Sequence, residues 1–121
     1  MVIATGTNLK KTTKTIEDRI DCLISKLICS FEKAYPKRYG HMSFEIDKGT
    51  KYYKIMQVTY SIGLTSGRVV HAFVCRQTGA IYKPAGYRAP AKHIRYNLLD
   101  DASYAECLEQ ADWAGSYLYI R

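Results

Sequence analysis

A chain of 121 residues with 47% hydrophobic and 24% charged residues has the make-up of one globular domain with a modest core, which excludes a disordered polyelectrolyte. Its formal net charge of +7 favours anionic partners such as nucleic acid, an acidic protein surface or anionic lipid. The excess is local: net +2 as far as Asp47, +9 from Lys48 to Leu99, where no Asp or Glu occurs, and −4 from Asp100 onward.

Met1 to Lys14 is polar, rich in Thr and Lys, and without periodicity, so residues 1–14 are expected to form a flexible arm ahead of a single domain, 15–121. A short apolar start followed by lysines reverses the order of a secretory signal, and no apolar run reaches the 18 residues that suggest a membrane span; no membrane partner is expected. Thr15 has the chemistry of a helix N-cap, with Asp18 at capping-box spacing. Behind it Ile16, Ile20, Leu23, Ile24, Leu27, Ile28 and Phe31 fall on one helical stripe, and Pro36 ends the helix. That stripe suits packing against a sheet; a partner or a second copy of the chain is the alternative cover.

From His41 the pattern changes to short β-prone runs. Met42 to Asp47 and Lys51 to Tyr60 read as strands around a Lys48-Gly49 turn, and Ser61 to Gly67 reads as a loop. Arg68 to Cys75 is apolar on both faces apart from His71, which suggests a central strand, and Arg76 to Gly79 is a hairpin turn returning through Ala80 to Tyr82. Pro84, Gly86 and Pro90 exclude regular structure up to Pro90, and Ala91 to Asn97 is expected to make one helical turn. Asp100 and Asp101 can cap a second helix with Tyr104, Cys107, Leu108 and Ala111 on one face; the segment from Trp113 reads equally as a last strand or a docked tail. The fold expected is α+β: an N-terminal amphipathic helix on an antiparallel sheet of four to five strands, with a short C-terminal helix.

Cys22, Cys29, Cys75 and Cys107 include no C-x-x-C pair and form no close-spaced ligand set with His41, His71 and His93, so structural thiols are expected and no metal or other cofactor. No nucleophile elbow, phosphate-binding glycine loop or dinucleotide turn occurs, so no catalytic residue is assigned and the chain reads as a non-enzyme. The chemistry-bearing stretch is Tyr82, Lys83, Tyr87, Arg88, Lys92, His93, Arg95 and Tyr96, which interleaves cations for phosphates with flat rings for bases. It is the expected nucleic-acid-binding segment, sequence-tolerant and suited to single strands. The alternatives are a protein-interaction module using the same Tyr and Arg as anchors, or a cradle for a small phosphorylated ligand.

The run Val70 to Lys92, with Thr78-Gly79, Tyr82-Lys83-Pro84-Ala85, Tyr87 and Ala89-Pro90-Ala91-Lys92, followed by Arg95 and Asn97, resembles small uncharacterised bacteriophage-encoded proteins. It departs at Tyr87, where Trp is expected, and this keeps a stacking face. The resemblance implies a viral protein in the host bacterial cytoplasm or the virion, whose partner is nucleic acid or a host or virion protein.

Overall fold

The computed structural model describes residues 5–38, 41–61 and 64–119. Helix α1, Thr5–Ala34, supplies the first layer, and a short 3₁₀ turn at Pro36–Arg38 follows it. Its stripe is buried as the spacing requires: Ile16, Ile20, Leu23 and Leu27 are fully covered and Phe31 nearly so, with Ile24 and Ile28 packed at the margin. Each such aliphatic side chain contributes about 1.5–3 kcal/mol of burial. The stripe therefore faces the core.

The helix begins at Thr5 and not at Thr15, so the expected arm is helical from Thr5 to Lys14; Met1 to Ala4 lie outside the described residues. The physical reason is cooperativity. Once the stripe has fixed a helical nucleus, each added residue gains a hydrogen bond at little cost, and lysines are good helix formers. Lys14 also pairs with Asp18 at 3.4 Å, four residues on.

The second layer is an antiparallel sheet whose strands follow one another in space as in sequence: β1 Met42–Lys48, β2 Tyr52–Ser61, β3 Leu64–Cys75, β4 Ala80–Tyr82 and β5 Tyr96–Asn97. Met42, Phe44, Tyr53, Ile55, Ala72, Val74 and Ile81 lie on the α1 side and complete the core. Two register shifts interrupt β3 against β2: Ile55 pairs with Ala72 but Met56 with Val70, leaving His71 as an extra residue, and Thr59 pairs with Gly67 but Tyr60 with Thr65. The second shift corrects the loop expected from Ser61 to Gly67. A bulge absorbs Ser66 within the strand, so β3 already runs from Leu64.

The helical turn expected over Ala91 to Asn97 is also absent. His93 takes a φ of +74°, which breaks a helical path, and Arg95 N–H and Leu98 N–H donate to Ile81 and Gly79 carbonyls across 2.8 Å, drawing Tyr96–Asn97 into the sheet. Helix α2, Asp101–Gln110, starts where expected, with the Asp100 carboxylate accepting from Ala102 and Ser103 N–H. Arg19 ties α1 to this region, donating to Leu98 O at 2.6 Å and to Asp101 at 2.9 Å while lying 4.4 Å over the Tyr104 ring. The segment after Trp113 is a docked tail with a 3₁₀ turn at Ser116–Leu118. Trp113 meets Phe31 edge-on at 5.4 Å, and Tyr117 and Leu118 are buried.

Candidate nucleic-acid interface

Strand alternation sends Tyr53 and Ile55 toward α1 and therefore Tyr52 and Lys54 to the opposite face of the sheet. Cross-strand register places Phe73 beside Lys54 and Tyr82 beside Phe73 on that same face. Tyr52 meets Phe73 at 5.8 Å and Tyr82 at 6.1 Å, both near-perpendicular, a favoured arrangement of ring quadrupoles. Lys51 Nζ lies 5.3 Å over the Tyr52 ring. The irregular segment after β4 closes on itself through a Pro84 to Pro90 bridge and brings Tyr87 back over β2, where Lys54 Nζ stands 4.2 Å from its ring centre. Tyr87 is 55% exposed, so one side of its ring stays open to a stacking partner.

The cations divide into engaged and open ones. Arg68 reaches Asp47 at 3.2 Å and Glu45 at 3.4 Å, and these bonds hold its guanidinium even more firmly protonated than usual. Lys48 pairs with Glu17 at 3.5 Å. Glu17 also accepts from Tyr53 OH at 2.7 Å, and that bond, with Lys48 behind it, holds its carboxyl below the usual range. Arg76 donates to Gly49 O at 2.6 Å. Lys51, Lys54 and Arg88 make no ion pair among the described residues.

The eight residues expected to form one site separate onto two sides of the sheet. Tyr82 and Tyr87 belong to the open face, on which Phe73 is itself buried, and Arg88 follows Tyr87 in the exposed loop. Tyr96 is half-buried on the α1 side, its ring 6.0 Å from Tyr117. Arg95 is a clamp: Nε donates to Leu118 O at 2.7 Å and Nη1 to the carbonyls of Lys92 and His93, which fastens the tail and the loop together. Lys83 also turns to the tail, 4.7 Å over Tyr119, while Lys92 and His93 are exposed in the loop. Reading the segment as a string missed Tyr52, Lys51 and Lys54. Their signal was the period-two alternation of Tyr52 and Lys54, which assigns them to one face.

Residues 3–120 match the model of a family described as a family of unknown function (DUF7717). The chain belongs to that family. No curated protein and no solved structure matches it. The match takes in both helices and all five strands, so it favours no one surface.

The cysteines divide as well. Cys22 and Cys29 are exposed on α1, whereas Cys75 and Cys107 are buried, and burial pushes the Cys107 thiol up to about 12. Cys107 therefore packs as a small apolar group.

Proposed function

We propose that this protein binds single-stranded nucleic acid, with little sequence preference, across the sheet face opposite α1. The observation that carries the reading is the placement of charge: β2 to β5 and their connections hold no carboxylate, and the two that β1 brings to this face, Glu45 and Asp47, are engaged by Arg68. On the β2 and β4 part of that face Tyr52, Tyr82 and Tyr87 stand with Lys51 and Lys54, and Arg88 follows Tyr87 in the exposed loop, while Asp47 of β1 lies across from Lys54 and is held by Arg68. In this reading Tyr87 stacks with a base while Lys54, already against the same ring, pairs with the adjoining phosphate. A base stacked on an aromatic side chain is worth roughly 1–3 kcal/mol whatever its identity, which gives sequence tolerance.

The test is fluorescence anisotropy of a labelled oligothymidylate at low salt. Tyr87→Ala is expected to weaken binding about 5–150-fold, the range that loss of one stacked base implies, and Tyr87→Phe to leave most of it. Lys26→Ala, on the exposed side of α1, should change little. Undetectable binding of the wild-type protein at low salt, or equal binding by Tyr87→Ala, overturns the reading.

A further inference from the structure

β3 is longer than the strand beside it. β4 meets it at Phe73 and Val74 alone, so on that side no strand among the described residues covers β3 from Leu64 to His71. Between the two register shifts, Gly67 to Val70 keep regular pairing with β2, and their groups pointing the other way have no backbone partner among the described residues. Where a further strand would lie, the chain holds a groove. Its α1-side hollow, about 200 Å³, is lined by Val69, His71, Lys83, Gly115, Leu118 and Tyr119 among others. Its opposite hollow, about 280 Å³, lies between Arg68, Val70 and the Ala85–Tyr87 loop, and the two share Val69, Val70 and Pro84.

We propose that this groove takes an extended acidic peptide segment of another protein as an added strand on β3, pairing with the edge at Gly67 to Val70. An uncovered strand edge presents N–H and C=O in alternation, which only another backbone can answer; a phosphate, offering acceptors alone, leaves the carbonyls unmatched. Side chains of an added strand point alternately to either side, and a hollow stands on each side to receive them. Lys83 and the acid-free walls select negative charge in the α1-side hollow, and the same positive charge opposes a second copy of this chain. Val69 is 57% exposed and Tyr119 61%, an apolar rim for the peptide's uncharged positions. The bulges at either end limit the paired register to about four residues, so the partner motif is short.

The probe is a labelled six-residue peptide alternating glutamate and valine. Three comparisons accompany it: the same peptide N-methylated at every second residue, its lysine counterpart, and Lys83→Ala protein. Binding by the glutamate peptide, a loss of tenfold or more on N-methylation and on Lys83→Ala, and slower hydrogen exchange at the 67–70 amides support the proposal. No binding, equal binding of the N-methylated or lysine peptide, or self-association of the free protein that protects the same amides overturns it. None of these readouts depends on oligonucleotide binding, so this proposal and the nucleic-acid reading stand or fall separately.

Discussion

His71 is the extra residue of a β-bulge, and its position decides its chemistry. It is almost wholly buried, its ring edge-on to Phe44 at 5.3 Å and its Nε2 hydrogen-bonded to Tyr117 OH across 2.7 Å. Burial pulls its pKa down from 6.5 to about 4, with the Asp112 carboxylate offsetting part of the shift. An unfolded chain takes up a proton at His71 below pH 6.5 while the folded one stays neutral until about 4, so stability is complete above 6.5 and falls as pH drops through that window. Between pH 7 and 5 the loss comes to about 2 kcal/mol. Urea titrations across that range are expected to show it. The slope should flatten in a His71→Phe, Tyr117→Phe double variant, which removes both partners of the bond and leaves neither stranded. The depressed carboxyl of Glu17 acts with the same sign, but only below its unfolded value of 4.5, outside the window measured.

At the scale of elements, the hairpin between β3 and β4 turns on Gly79. Its φ is +75°, and a Cβ there would stand 2.9 Å from Leu99 Cγ and 3.2 Å from both Leu99 N and Asn97 Oδ1. Gly79→Ala is therefore expected to lower stability by about 1–3 kcal/mol, read as a drop in urea midpoint, because backbone strain and contact with the β5–α2 connection add. This turn was legible in the sequence, since Thr78-Gly79 punctuates two apolar runs. The α1 stripe and the Asp100 cap were legible for the same kind of reason: local spacing states them outright. The true start of α1 was not, because Thr5 to Lys14 carries no apolar period and is helical only by extension from the Ile16 to Phe31 stripe. Nor was β5, a two-residue strand fixed by ladder bonds to β4 and by the Arg95 bond to Leu118 O, all of them contacts across fourteen or more positions of chain. The candidate face was half-legible. Tyr82 and Tyr87 announced themselves in a basic loop, whereas Lys51, Tyr52 and Lys54 join them only because β2 and β4 flank β3.

For the molecule as a whole, the sequence offers nine cations between Lys48 and Leu99, and folding decides how many remain open. Arg68 and Lys48 answer carboxylates, Arg76 and Arg95 answer backbone carbonyls, Lys83 leans to the tail on the α1 side, and Lys92 stands exposed in the loop before β5. Lys51, Lys54 and the exposed loop residue Arg88 remain for the proposed polyanion, with Arg68 available only in competition with Glu45 and Asp47. Counterion release converts that number into a measurable slope. For a single strand, log affinity falls with log salt at about −0.7 per neutralised phosphate, so three or four contacts give roughly −2 to −3, whereas nine would give about −6. A salt titration of oligothymidylate binding is thus expected to return the shallow value. Glu45→Gln combined with Asp47→Asn frees Arg68 for the strand, and the slope should steepen by about 0.7, with affinity at low salt rising. A slope near −6 in the wild type would mean that the engaged arginines and lysines exchange their partners for phosphate, and the open face would then be too narrow an account of binding.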